Sequence, residues 1–389
     1  MITPFSIAAL PKIVFGHGCL AKLGALLEPY GSRVLVLTGK TSFRESKQYL
    51  NLERALSGDG FSLQGVVIES EPSPGDVDVL VNHWRSFAPQ MVLAIGGGSV
   101  MDAGKAMAGL IPQQHSVMDY LEGVGPELPY EGPSLPLIAV PTTAGTGSEA
   151  TKNAVLSVSG PNGFKKSFRS EKLVAALALL DPDLLASAPA PLIAANGMDA
   201  LTQLMESYVS SGANPFTDAL ALSGIQLVIR ALPVWYRQQA HAKGAMGEMA
   251  YAALLSGICL AQAGLGSVHG LASPLGAFFP IPHGVVCGTL LAEATALNLQ
   301  AMQEREPENS ALAKYRHMAK LFHQGGDTTK MLAVLRQWTE DMQLPGLSAY
   351  GVSACDIDLI VAHCRGGSMR TNPIALSDDE LGRLLRARL

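Results

Sequence analysis

Four short, almost uninterrupted apolar runs in the first half of the chain constrain the fold more than any other feature. They are RVLVLTGK (33–40), GVVIES (65–70), MVLAIGGGS (91–99) and LPLIAVPTTAGTGS (135–148). Continuous apolar strands separated by helical stretches indicate a parallel sheet covered by helices on both faces. Ligands of such sheets gather at the carboxyl ends of the strands. Three of the four runs lead straight into Gly, Ser or Thr at that end.

The second half reads differently. After LALLDPDLLASAPAP the pattern is mainly helical, beginning near Asn196. PFTDALALSGIQLVIRALP is expected to start after Pro215, with Thr217 as N-cap, and to stop at Pro233. LSDDELGRLLRARL carries a capping box, Ser377 with Glu380, ahead of a final helix. The expectation is an α/β dinucleotide-binding domain with a parallel sheet (1–184), followed by an all-α domain (185–389).

With 389 residues the chain can bury two cores. Its 48% hydrophobic and 16% charged residues suit a large core or a buried oligomer interface. A net charge of −5 and no basic run give no electrostatic basis for binding nucleic acid. The five cysteines are scattered, with no C-x-x-C, and read as small core residues in a reduced, cytoplasmic setting. The N-terminal stretch is not patterned as a signal peptide. YAALLSGICLAQAGLG, interrupted by Ser256, Gly257 and Gln262, reads as a buried helix too short to span a bilayer, so no membrane partner is expected.

Two loops carry phosphate-binding chemistry. In AIGGGSVMDAGKAMAGL, Gly96, Gly97 and Gly98 allow a close backbone approach to a ligand. Ser99 is placed to cap the following helix, whose free N–H groups form an anion site. Asp102 and Lys105 follow on its first turns, with Lys105 available to add charge at a phosphate. Alone, this is a tight strand–helix turn or a phosphate site; it is neither G-x-G-x-x-G nor a Walker loop. PTTAGTGSE sets Thr142, Thr143, Thr146 and Ser148 beside two glycines at another strand end. Together the pair suggests a dinucleotide.

MDALTQLMES (198–207) reads as helix, with Leu201, Leu204, Met205 and Tyr208 on an apolar face. Asp199, Gln203 and Glu206 share another face, and a polar helix face is usually solvated. In GSVHGLASPLGAFFPIPHGVVCGTLL, His269 is helical with Ser273 at i+4, and His283 opens the next apolar helix. Either histidine alone is more often a satisfied core residue than a ligand.

In combination these segments identify a relationship. PKIVFGHGCLAKL, GGGSVMDAGKA, PTTAGTGSEAT, GMDALTQLMESY, VHGLASPLGAFFPIPHG and NPIALSDDEL occur in the order found in the iron-containing, or group III, alcohol dehydrogenases, which the chain resembles over nearly its whole length. Lactaldehyde reductase and butanol dehydrogenase belong to that family. The resemblance implies a dehydroquinate synthase-like fold, with a Rossmann-like domain, a helical domain and an active site in the cleft between them. It implies NAD(P)-dependent hydride transfer between the nicotinamide and a small alcohol or aldehyde, assisted by a divalent metal, Fe or Zn, in a homodimer. The cofactor side would comprise Gly39, Gly97, Gly98, Ser99, Asp102, Thr142, Thr143, Thr146, Asn153 and Lys165. Asp199, His269 and His283 match three of the family's four metal positions. Gln203 stands at the fourth, where the family has His, and an amide oxygen is a weaker ligand than imidazole. His269, His283 and Gln203 would act in catalysis, with Gln203 a weak ligand or a hydrogen-bond donor to substrate oxygen. Ser273 replaces a further family histidine. Gly39 stands where many members carry Asp, with Lys40, Ser42 and Arg44 nearby, so NADP is expected to be accepted. The alternatives on the same scaffold are a metal-free reductase like the maleylacetate reductases, a lyase like dehydroquinate synthase, and a non-catalytic binding protein.

Overall fold

The computed structural model describes residues 4–323 and 325–389. The first half alternates strand and helix: β1 (Lys12–Phe15), α1 (Leu23–Leu27), β2 (Arg33–Gly39), α2 (Lys47–Gly58), β3 (Ser62–Ile68), α3 (Pro74–Trp84), β4 (Met91–Gly96), α4 (Gly98–Leu110) and β5 (Leu137–Pro141). An antiparallel hairpin, β6 (Asn153–Val158) and β7 (Phe164–Arg169), precedes β8 (Leu177–Leu180). Six strands form one sheet in the order β1-β8-β5-β4-β2-β3, every neighbouring pair parallel. β4 and β5, in its centre, are buried along their whole length, as their unbroken apolar sequences require.

The chain runs from β2 outward to the edge strand β3, then returns to the other side of β2 as β4. The direction of winding therefore reverses between β2 and β4, whose carboxyl ends lie side by side, with Thr38 opposite Ile95. Such a switch point is where open α/β sheets bind their ligands. Gly39 ends one of these strands, and Gly96–Gly98 follow from the other.

The second half is helical: α5 (Ala190–Val209), α6 (Pro215–Gln238), α7 (Lys243–Ala263), α8 (Ser267–Phe278), α9 (His283–Arg305), α10 (Ser310–Phe322), α11 (Thr328–Asp341), α12 (Ile357–His363), α13 (Gly367–Arg370) and α14 (Asp378–Arg386). α5 is its axis, buried from Gly197 to Val209 and packed against α6, α7 and α9. The Ser377–Glu380 capping box opens α14 as expected.

Three helix expectations need correction. The N-cap of α6 is Asn214, and Thr217 is its capping-box partner at the third helical position. The helix runs through Pro233 to Gln238, its proline accommodated inside a helix packed against α5 and α7. The YAALLSGICLAQAGLG segment belongs to α7, which also takes in the residues upstream from Lys243. By length and composition alone α6, α7 and α9 are each sufficient to cross a membrane; 61% of the α7 window and 78% of the α9 window are buried inside this fold.

Candidate functional site

The glycine and threonine loops meet at the carboxyl end of the sheet. A Cβ on Gly97 would lie 3.3 Å from the Thr143 side chain, and one on Gly98 would lie 3.3 Å from that of Thr146. The Thr142 N–H donates to Gly96 O (2.9 Å), tying the loops together. Gly97 is the N-cap of α4, so Ser99 sits inside the first turn and does not cap it, contrary to expectation; no side chain caps this helix. A 13-residue helix with a glycine entry and uncapped N–H groups retains the features of an anion site. Gly39, Gly97, Gly98, Ser99, Thr142, Thr143 and Thr146 are all half-buried along this rim. Their glycine backbone and hydroxyl groups suit a dinucleotide's phosphates and ribose.

Lys105 does not face a phosphate. It is fully buried, and its Nζ donates to Ser148 Oγ (2.7 Å), Thr151 Oγ1 (2.7 Å) and Asn153 O (2.9 Å). All three of its donors are consumed in fastening the threonine loop and β6 to α4. Burial pulls the ammonium down to about 8 despite Asp102 and Glu149 nearby. Ser148 Oγ in turn donates a hydrogen bond to Asp102 Oδ1 (3.1 Å), and burial pushes the Asp102 carboxyl up to about 6. Asp102 thus supports the loop from behind, and Asn153 meets the same network through its backbone carbonyl.

From the helical half, α5 approaches the same rim. Gly145 packs against Asn196, one turn before Asp199. The face whose exposure the sequence left open is buried: Asp199 is 1% exposed, Gln203 2% and Glu206 7%. α9 reaches that face through two glycines one turn apart. A Cβ on Gly284 would stand 2.5 Å from Ala195 O, and one on Gly288 would stand 2.9 Å from Met198 Cβ. Only glycine permits this approach, which carries His283 and Cys287 to Asp199.

Four donor side chains converge there. His269 Nε2 lies 3.3 Å and His283 Nε2 3.7 Å from Asp199 Oδ1. Cys287 Sγ lies 3.6 Å from His269 Nε2 and 3.7 Å from His283 Nε2. Ligand atoms of all four fall within 4.8 Å of one another. The sequence reading treated Cys287 as a core residue; it is buried, but against these imidazoles. Gln203 Nε2 is 3.4 Å from Asp199 Oδ1, and its amide oxygen is buried with no hydrogen-bond partner among the described residues.

Glu206 orients the group. Its Oε2 accepts from His269 Nδ1 (2.7 Å), so Nε2 is the nitrogen turned toward the site. Its Oε1 accepts the Val268 N–H (2.7 Å), so the same carboxylate caps α8, whose own N-cap is Gly266. The sequence placed Glu206 on the correct face and gave it no task.

The electrostatics match a cation. Among the described residues neither Asp199 nor Glu206 pairs with Lys or Arg, although buried carboxylates require compensation. Burial disfavours protonation of His269, but Cys287, Asp199 and Glu206 overcome it and hold its pKa well above the usual histidine range. His283 is pushed down to about 4 by burial, with Lys165 and His269 adding to the effect. Its side chain is 27% exposed, so it forms the open side of the cluster, while its Nδ1 is turned inward and has no partner among the described residues. Carboxylate, imidazole and thiol donors suit a borderline divalent ion such as Zn(II) or Fe(II). Lys165 stands across from His283, paired with Glu71 (2.6 Å), and its carbonyl accepts from Ser273 Oγ (3.0 Å). It bridges the α/β half to α8.

Comparison with known proteins gives a consistent picture. Residues 11–182 match the family model described as "Iron-containing alcohol dehydrogenase", and 193–389 match "Fe-containing alcohol dehydrogenase family, C-terminal". Alcohol dehydrogenase 4 of Schizosaccharomyces pombe is 32% identical over 99% of this chain and 89% of its own length. The crystal structure of a 1,3-propanediol oxidoreductase superposes with a TM-score of 0.87 at 27% identity, covering 100% of both chains. That of a sulfoacetaldehyde reductase from Bifidobacterium kashiwanohense in complex with NAD+ superposes at 0.86 and 26% identity, covering 99% of both.

Proposed function

This chain belongs to the iron-containing alcohol dehydrogenase family, and from that premise we propose that Asp199, His269 and His283 hold a divalent cation facing a nicotinamide dinucleotide bound along Gly97–Ser99 and Thr142–Thr146. The protein is an oxidoreductase acting on CH–OH groups, interconverting small alcohols and aldehydes. The observation that carries the site assignment is the convergence of two imidazoles on the buried Asp199 carboxylate.

When bound, the cation supplies Lewis-acid polarisation of a carbonyl or carbinol oxygen, and the nicotinamide gives or takes the hydride. The protein supplies position. α4 and the threonine loop would hold the cofactor's phosphates at the carboxyl end of the sheet, the rim that α5 approaches through Asn196. Glu206 fixes the His269 tautomer. The part-exposed His283 edge is where substrate enters. Gln203 holds Asp199 through its amide N–H.

The rim of β2 supports use of NADP as well as NAD. Gly39 presents no carboxylate to a 2′-phosphate, and Lys40, 3.7 Å from Glu69, lies beside it. Assembly as a homodimer is supported by β1, which among the described residues pairs only with β8 and exposes Ile13 and Phe15 along an open edge. All five cysteines are free thiols, which supports a reducing cytoplasmic compartment.

The test combines metal analysis with an aldehyde screen against NADH and NADPH. Asp199→Asn is expected to abolish stoichiometric metal and turnover together. Turnover that persists in metal-free wild type would replace this reading with a metal-free reductase, and cofactor binding without turnover on any aldehyde would leave a binding protein.

A further inference from the structure

Resting on the metal reading above, we propose that Cys287 is the cation's fourth protein ligand, so that a thiolate takes the place left by Gln203 and the centre is Asp/His/His/Cys. Cys287 lies one turn beyond His283 on α9, and i and i+4 side chains project from the same face. Four of the six donor–donor edges have the spacing of a coordination shell, and all six are within 4.8 Å. For a tetrahedral zinc with ordinary bond lengths, neighbouring N and O donors lie about 3.4 Å apart and N and S donors about 3.6 Å apart. The N···O edges here are 3.3 and 3.7 Å, and the N···S edges are 3.6 and 3.7 Å.

Hydrogen bonds to Asp199 from His269 Nε2 (3.3 Å) and from Cys287 join part of this cluster and leave the rest unexplained. A thiol has one proton, yet Cys287 Sγ stands equally near two imidazole nitrogens. Both of those nitrogens also aim at one carboxylate oxygen. A cation at the common point satisfies all four groups at once. Gln203 is not competing for that point. Its amide nitrogen, which has no lone pair to give a cation, is the atom that faces Asp199 (3.4 Å). Uptake of the cation forms one metal–sulfur bond and releases the Sγ proton to solvent, with no change of oxidation state. A soft donor biases the site toward Zn(II), Co(II) or Fe(II) and away from Mg(II).

The test is to load the full-length protein with Co(II) alone and record its absorption. A thiolate-to-cobalt charge-transfer band in the near ultraviolet is expected in wild type and in Cys355→Ser, and absent in Cys287→Ser. Competition with a chromophoric chelator should show metal affinity falling roughly tenfold or more in Cys287→Ser, since loss even of an outer-shell partner costs that much. X-ray absorption of the zinc-loaded wild type should show one sulfur neighbour at about 2.3 Å. This measurement stands even if Cys287→Ser fails to fold. Cobalt uptake without the band, or zinc with only N and O neighbours, overturns the assignment of Cys287 and leaves the cation in place. No cobalt uptake by wild type overturns the metal reading and Cys287 with it.

Discussion

Glu206→Gln tests whether the carboxylate behind His269 serves the site or only the helix. Glu206 accepts two hydrogen bonds, from His269 Nδ1 and from the Val268 N–H, both at 2.7 Å. Glutamine has the same shape but only one oxygen, so its amide –NH2 must face one of those two groups. Turned toward Val268, it opposes donor to donor and uncaps α8. Turned toward His269, it leaves Nδ1 as the acceptor and moves the ring proton to Nε2, where a metal ligand needs a lone pair. Loss of such an outer-shell partner lowers metal affinity by about 10- to 100-fold, or about 1.4–2.7 kcal/mol. Chelator competition measures the affinity, and thermal melting of the metal-free protein measures the helix cap separately. A lower melting temperature with unchanged metal affinity would show that Glu206 only caps α8, and the orienting role would be refuted.

Three further perturbations probe the rest of the site. Gly97→Val sets a branched side chain 3.3 Å from Thr143 in the phosphate loop, so NAD(P)H affinity should fall while the fold survives; unchanged binding in a fluorescence titration would remove the loop from the cofactor site. Gly39→Asp has room, its nearest neighbour being Val100 at 3.9 Å, and should shift preference toward NADH by repelling a 2′-phosphate; wild-type activity with NADH alone would refute this reading of the rim. Burial pushes the Glu149 carboxyl up to about 7, against its backbone hydrogen bond and Lys105, so the folded state holds that proton more tightly than the unfolded chain. Stability is therefore lost as pH rises from about 4.5 through about 7, the reverse of the usual carboxylate, and Glu149→Gln should stabilise the protein at about pH 8 by up to about 3 kcal/mol and hardly at all at about pH 4. Calorimetric melting at the two pH values checks the sign.

Three of the four strands legible in the sequence are buried on both faces, and the fourth, the edge strand β3, shows only its short apolar VVI. β2, β4 and β5 are unbroken apolar runs because neither face meets water. β1 and β8 are four residues each. KIVF is largely exposed at the sheet edge, and LALL lies directly against Asp181 and Pro182, so neither displays a period long enough to read. The ends of α6 were misread for a related reason. Pro233 is a stop signal only when local cost decides, and packing on α5 and α7 outweighs it here.

The candidate site divides along the same line between local and distant causes. Asp199, His269 and His283 were visible because each lies in a motif whose order along the chain is itself informative. Cys287 and Glu206 depend on how three helices cross, which no local window reports. Glu206 lies seven residues after Asp199 on one helix face, and Cys287 four after His283 on another, so helical spacing told which residues travel together and not what they meet. The missing information lies in Gly284 and Gly288. Two glycines a turn apart inside a helix weaken it unless something presses on them, and here α5 does, at Ala195 and Met198. Interleaved with His283 and Cys287 in HGVVCG, they mark the face of α9 that meets another backbone. The chemistry-bearing residues next to that face are then the ones carried to the nearest buried carboxylate, which makes the cysteine in HGVVCG a metal-ligand candidate rather than core filling.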